Sequence, residues 1–330
     1  MNELSVEEAL ELLGAFILNA CDDDEAERVV AALAANPPLA EQADRLAEAA
    51  SLLGLLVTVK PPEGVWGAVS ARLVPIALLV EANGLFEAAV TELGRDDWSG
   101  GLAGDWFRHD LSSWTARELV AHLSAGHDLL AARLAGAASP AELLDVIDAA
   151  AAHAVDAEPD ALLADWRRAT EALLVAARRP LDLTVAWLGS DVTPTMAVLE
   201  RAFETWIHAN DLRRVCGRPE RHPNADNLHR LCDLAVTLLP VTLQAAGHQR
   251  EGSLRVVLEG PGGGHWTMPL TPGGEPGPLL GTLVAESIDV CALMGDRLHP
   301  DRFEYRLEGP AELKTIVGEL ANSAGLLAHK

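Results

Sequence analysis

Apolar residues recur at helical spacing in Ser5–Leu18, Asp24–Ala35 and Ala40–Val57, which predicts three helices at the start of the chain. Asn36-Pro37-Pro38 separates the second from the third, and Pro61-Pro62 stops the third, so 61–64 marks a boundary. The helical period resumes over Trp66–Leu93, lapses in a stretch rich in Gly, Asp and Trp, and returns in Thr115–Leu134, Pro140–Ala154, Asp160–Ala177, Pro194–Val215 and Asn224–Ala246. Helices of this length with almost no strand signal between them imply a bundle. After Gly252 the period shortens to two: LRVVLEG and HWTMPL, joined by Pro-Gly-Gly-Gly, read as a hairpin. A helix around Thr282–Gly295, a strand FEYRLEG and a helix Pro310–Ala321 finish the pattern as β-β-α-β-α. The expected fold class is mostly α, in three parts: a small helical domain (1–60), a helical bundle (66–248) and a small α+β domain (252–330).

The length of 330 residues allows two or three domains, each with its own core. No apolar run reaches membrane-spanning length and no basic leader opens the chain, so a cytoplasmic protein is expected. Cys21, Cys216, Cys232 and Cys291 form no C-x-x-C pair, which excludes a zinc ribbon or a redox dithiol and fits a reducing compartment. A net charge of −24 argues against a nucleic-acid surface, because phosphate binding needs clustered Lys and Arg. Residues 1–60 hold 12 acids against 3 bases, a segment that repels DNA and attracts basic partners. Three lysines against 22 arginines, with abundant Ala and Leu, suggest a GC-rich genome of the actinobacterial kind.

The strongest candidate chemistry lies in SSWTARELVAHL and AFETWIHANDL. Thr115 followed by Glu118 reads as a capping box that starts a helix and places His122 two turns in. Glu204 and His208, four apart, share one helix face, and Asp211 follows His208 by three, near enough to accept its second N–H. His127 is turned away from the face of His122, and the other histidines have no partner at a ligand spacing.

Residues from about Arg72 onward resemble the mycothiol-dependent maleylpyruvate isomerase family. Three landmarks carry the resemblance: FEAAVTELGRDDWSG, then SSWTARELVAHL, then the Glu-x3-His-x2-Asp of Glu204, His208 and Asp211. The resemblance implies a DinB-like four-helix bundle in which His122, Glu204 and His208 bind zinc or a similar divalent ion, with Asp211 behind His208. Two imidazoles and one carboxylate leave zinc an open position for chemistry. It also implies a sterol-carrier-like C-terminal domain, in which the Gly295-Asp296-Arg297 step ends a helix and Arg297 either lines the cleft or closes the helix C-terminus. Trp98, Trp106, Trp114 and Trp206 cluster near the site in sequence and are candidates to wall a pocket, core packing being the alternative for each.

The segment LLGAFILNACDDDEAERVVAALAANPPLAEQADRLAEAASLLGLL resembles the helical domain of anti-sigma factors. Many of those carry H-x3-C-x2-C, but Ala32, Asn36 and Leu39 stand at the corresponding positions, so this part is expected to bind no zinc. Two functions follow from the resemblances. One is a metal- and mycothiol-dependent isomerase or thiol transferase acting on a small molecule that the sequence does not identify. The other is an anti-sigma factor that binds a basic sigma factor, with the metal bundle as sensor or scaffold.

Overall fold

The structure, a computed structural model, describes residues 4–17, 20–56, 65–102, 114–137, 142–178, 184–187 and 190–324. The chain divides into two compact units, Met1–Trp66 and Gly67–Lys330. The proline-marked boundary at 61–64 lies outside the described residues.

In the first unit α1 (Val6–Ile17), α2 (Asp23–Ala35) and α3 (Pro37–Leu56) pack around a small core of Ala9, Leu13, Val29, Leu39 and Ala43. Asp22 and Glu25 close a capping box at the start of α2, each satisfying the other's backbone N–H. Asn36 serves both helices at the next turn: its N–H donates to the Leu33 carbonyl, and its Oδ1 accepts from the Leu39 N–H at 3.2 Å. Where H-x3-C-x2-C would hold zinc, this chain therefore has an amide cap and a buried leucine. Burial of a side chain like Leu39 contributes about 1.5–3 kcal/mol, so the turn is held by packing.

In the second unit α4 (Val65–Thr91), α5 (Ala116–Leu134), α7 (Pro159–Ala177) and α8 (Pro194–Val215) share one core, built from Phe86 and Val90, Leu119 and Leu123, Leu162 and Trp166, and Ala209 and Leu212. α6 (Leu143–His153) packs on α5. The predicted capping box opens α5: Glu118 accepts from the Thr115 N–H at 2.6 Å, and Thr115 Oγ1 accepts from the Glu118 N–H. α8 starts on Thr193, whose hydroxyl accepts from the Met196 N–H, with Pro194 at the first helical position where its missing N–H costs nothing. Polar and apolar residues of α8 are both buried, which marks a helix passing through the interior rather than lying on it. A short hairpin, β1 (Val185–Trp187) and β2 (Ser190–Val192), precedes it; at three residues per strand it is too short for periodicity to reveal.

α9 (Ala225–Ala245) leads into a four-stranded sheet of order β4-β3-β5-β6. β3 (Ser253–Glu259) and β4 (Gly264–Pro269) form the predicted antiparallel hairpin. The helix expected over 282–295 is corrected: its first half is β5 (Leu279–Glu286), parallel to β3 and antiparallel to β6 (Tyr305–Glu308), and only α10 (Ser287–Met294) is helical. LLGTLVAE is a central strand with neighbours on both edges, and a short apolar run of this kind has no alternation to separate it from a buried helix. Gly281 sits where β6 comes closest; a Cβ there would stand 2.5 Å from the Glu308 carbonyl oxygen. α11 (Leu313–Ser323) and α9 cover the sheet, and their apolar residues join those of α5 and α8 in the larger core. The whole is mostly helical with a small sheet region near the C-terminus, as the hydrophobic pattern implies.

Candidate metal centre

α5 and α8 bring His122, Glu204 and His208 together across the 81 residues that separate the first two in sequence. One ligand-type atom from each lies within 4.8 Å of the others, and among the described residues this is the group of His, Cys, Asp or Glu placed to share an ion. The His122 and His208 rings meet edge to face at 5.3 Å, and Trp114 packs edge-on against His122 at 4.9 Å. Both histidines are buried, whereas the Glu204 side chain keeps 20% of its exposure, so the cluster meets solvent at its carboxylate.

His208 is held from both sides. Its Nδ1 donates to Asp211 Oδ2 at 2.9 Å, and its Nε2 lies 3.0 Å from Glu204 Oε2. Burial works against the charged imidazole, but the hydrogen bonds to Asp211 and Glu204 outweigh it and raise its pKa. The proton shared between Nε2 and Glu204 sits where a cation would take both lone pairs. Burial alone would raise the pKa of Glu204 and of Asp211. The His208 contact overcomes it at Glu204, and the Arg297 charge does so at Asp211, so both carboxyls lie well below the usual range. His122 has no such support: burial first, then the nearby positive charge of His208, push its pKa well down, leaving a neutral imidazole with a free lone pair. Its Nδ1 is buried without a hydrogen-bond partner. A neutral imidazole, an ionised carboxylate and a second imidazole oriented by a carboxylate are a donor set that fits zinc or a similar divalent ion.

Asp211 is the junction between this centre and the sheet region. It is 1% exposed, and Arg297 grips it through Nε at 2.9 Å to Oδ1 and Nη2 at 2.6 Å to Oδ2, while Arg214 adds a contact at 3.1 Å. The local turn explains how Arg297 arrives there. α10 ends in a Schellman arrangement in which the Arg297 N–H reaches the Ala292 carbonyl and the Asp296 N–H that of Leu293. Asp296 occupies the left-handed position at φ 60°, usually a glycine's, at a cost of about 1 kcal/mol. Arg297 thus does close the helix, through Nη1 to the Gly295 carbonyl, and it also braces the carboxylate behind His208.

The tryptophans divide. Trp114 touches the centre, whereas Trp98 belongs to the bundle core and Trp206 is buried with its Nε1 donating to the Arg221 carbonyl. Trp106 lies outside the described residues. His127 stands apart from the cluster, bonded to Asn83 Oδ1 at 3.0 Å and packed on Trp166. Cys232 and Cys291 are buried against each other with sulfurs 3.8 Å apart and are not among the clustered donors.

Two residues of α8 escaped the sequence reading. Glu200 accepts from Trp187 Nε1 at 2.6 Å, and burial raises its pKa to about 7. Arg201, 1% exposed, has Nε and Nη2 without partners. Their signal was present: 200, 201, 204 and 208 follow the i, i+3/i+4, i+7/i+8 rule for one helix face.

Residues 88–213 match the family described as the mycothiol maleylpyruvate isomerase N-terminal domain. A search among curated proteins finds no match. Among solved structures, the crystal structure of a histidine-to-alanine mutant of the mycothiol-dependent maleylpyruvate isomerase superposes with a TM-score of 0.50 at 16% identity, covering 71% of this chain and 92% of that one. A second structure, of the mycothiol-dependent maleylpyruvate isomerase itself, has a TM-score of 0.46 at 18% identity, covering 67% of this chain and 88% of that one. These matches give no support to a sigma factor as partner. Among the described residues no helix is long and apolar enough to cross a membrane. The match to the mycothiol maleylpyruvate isomerase N-terminal domain spans the residues that carry His122, Glu204, His208 and Asp211.

Proposed function

We propose that His122, Glu204 and His208 hold a divalent metal ion, zinc by the chemistry of the set, and that the chain performs thiol-dependent chemistry there, an isomerisation or thiol transfer that uses mycothiol. The observation that carries this reading is the convergence of the three donors within 4.8 Å, one of them oriented by a buried carboxylate. An ion with one open position supplies a Lewis acid and lowers the pKa of a thiol at that position.

The chain's own residues do the rest. Asp211 fixes the His208 tautomer by accepting the Nδ1 proton, which keeps Nε2 directed at the shared centre. Arg297 holds Asp211 in place, so the sheet region completes a site that the bundle begins. Trp114 closes one side of His122 and excludes water from it. Glu204, the partly exposed ligand, marks the side from which small molecules enter. On this reading 66–248 is the metal-binding part, 252–330 supports it, and 1–60 is a separate helical domain.

Incubation of the zinc-loaded chain with mycothiol and maleylpyruvate, followed by the loss of the substrate's ultraviolet absorbance, tests the reading. Turnover that requires both thiol and metal, and that His122→Ala abolishes, is expected. Zinc bound without any effect of mycothiol on the metal or on substrate contradicts the thiol-dependent part.

A further inference from the structure

Cys232 and Cys291 are two thiols that the metal-centre reading does not use and that the fold brings into contact. Residues 59 apart in sequence, they follow no C-x-x-C spacing that would announce a pair. Cys232 lies on α9 and Cys291 on α10; both are fully buried, and their sulfurs stand 3.8 Å apart. Cys232 Sγ is also 4.0 Å from the carbonyl of Ser287, the first residue of α10. With the Cys291 S–H donating to Cys232, the Cys232 pKa is lowered in spite of burial, and that of Cys291 is raised by the same bond first and by burial second. A buried thiol oxidised alone stops at the sulfenic acid, whereas here a second thiol touches it and can resolve it.

Joining them has a mechanical consequence. Disulfide sulfurs sit about 2.05 Å apart, so the pair must close by roughly 1.8 Å. α9 has 21 residues and α10 only eight, with Ile288, Asp289 and Ala292 partly exposed, so the shorter helix gives way. Local opening of such a short, partly exposed helix is also what admits an oxidant as small as hydrogen peroxide. The end of α10 carries the movement onward. The Cys291 carbonyl accepts from the Gly295 N–H at 2.9 Å and the Ala292 carbonyl from the Arg297 N–H at 2.7 Å, and Arg297 grips Asp211 behind His208.

We propose that Cys232 and Cys291 form a disulfide when the chain meets a hydroperoxide, and that this bond draws α10 towards α9 and loosens the turn that holds Arg297 on Asp211. The Cys232 thiolate attacks the terminal oxygen and the O–O bond breaks; the leaving oxygen takes the thiol's proton and departs as alcohol, or as water from hydrogen peroxide. The Cys291 thiol then attacks the sulfenic sulfur, the S–S bond forms and water leaves with the second proton. The two sulfurs together give up two electrons, and the O–O bond receives them. A weaker hold on a metal ion follows as well, and this last effect alone rests on the metal-site reading above.

Hydrogen peroxide added to the reduced full-length chain, followed by tryptic digestion without reductant, tests the bond. Peptides 231–250 and 256–297 should appear joined, two hydrogens lighter than their sum. Amide exchange over 295–297, read by mass spectrometry, should quicken ~tenfold or more in the oxidised chain and return to the reduced rate after dithiothreitol. Cys232→Ser should show no change of exchange with peroxide, and Cys291→Ala serves if that variant does not fold by circular dichroism. Cobalt affinity, by competition with a chelator, should fall ~tenfold or more on oxidation of the parent. Thiols 232 and 291 that stay free after the part-buried Cys21 and Cys216 have reacted, or that join other partners, overturn the pair. A mapped disulfide with unchanged exchange over 295–297 overturns its coupling to Arg297. If the reduced chain binds no cobalt, the metal reading falls by itself, while joined peptides with reversible, faster exchange still support the redox pair.

Discussion

The two sides of the candidate metal centre are built on opposite rules. On the side of His208 the polar groups are matched in a chain: Nδ1 to Asp211, Asp211 to Arg297 and Arg214, Arg297 to the end of α10. On the side of His122 the atoms stand alone: its Nδ1, and Nε and Nη2 of Arg201, are buried without partners. Matched groups hold a geometry, and unmatched ones leave buried donors and acceptors unsatisfied. The matched side draws its last residue from the sheet region, so the C-terminal part of the unit is structurally committed to the site.

The largest effect is expected from breaking the matched side at its deepest pair. Arg297→Met leaves Asp211 a buried carboxylate with one main cation removed, and losing one partner of a buried pair costs about 3–5 kcal/mol. Urea unfolding should show a midpoint lowered accordingly. A change under about 1 kcal/mol would mean that Arg214 and His208 suffice to hold Asp211, and the contrast between the two sides would collapse.

Asp211→Asn is gentler. It keeps the shape but loses the charge that fixes the His208 tautomer, and metal affinity should fall ~10–100-fold by competition with a chelator. Affinity equal to the parent's would reduce Asp211 to a structural acid.

Glu200 sharpens the same contrast through pH. Its folded pKa, about 7, lies above the ordinary carboxyl value, mainly because burial penalises the charge. The folded chain therefore holds this proton more tightly than the unfolded chain, and stability falls as pH rises from about 4.5 through 7. Glu200→Gln removes the titration, so relative to the parent it should gain on the order of 1–3 kcal/mol between pH 5 and pH 8. Parallel stability curves for the two would show that Glu200 is ionised throughout.

The smallest effect belongs to a surface copy of the buried pair. Arg168 grips Asp128 with two bonds at 2.9 and 2.8 Å, much as Arg297 grips Asp211, but with 59% and 38% of the side chains exposed. Asp128→Ala should cost under about 1 kcal/mol. A loss as large as that of Arg297→Met would show that burial is not what separates the two.

Much of this was legible in residue order. The capping box at Thr115, the i, i+4 spacing of Glu204 and His208 and the placement of Asp211 are local relations, and local relations survive translation into helix geometry. The strand Leu279–Glu286 was not legible, because a central strand buried by neighbours on both edges shows no alternation. Arg297 was read as a helix-closing or cleft residue, and its grip on Asp211 depends on a left-handed turn at Asp296 that no periodicity encodes. Arg201 shares the face of Glu204 and His208 by spacing, yet only three-dimensional packing shows that its Nε and Nη2 are buried without a hydrogen-bond partner.

The most direct measurement is elemental analysis of the purified chain after gentle dialysis, beside a His122→Ala, Glu204→Ala double variant that removes one ligand from each helix. About one zinc or similar divalent ion per chain, lost in the double variant, is the expected result. A chain that holds no metal and cannot be reloaded, or a double variant that retains as much as the parent, would contradict the metal centre on which the functional reading stands.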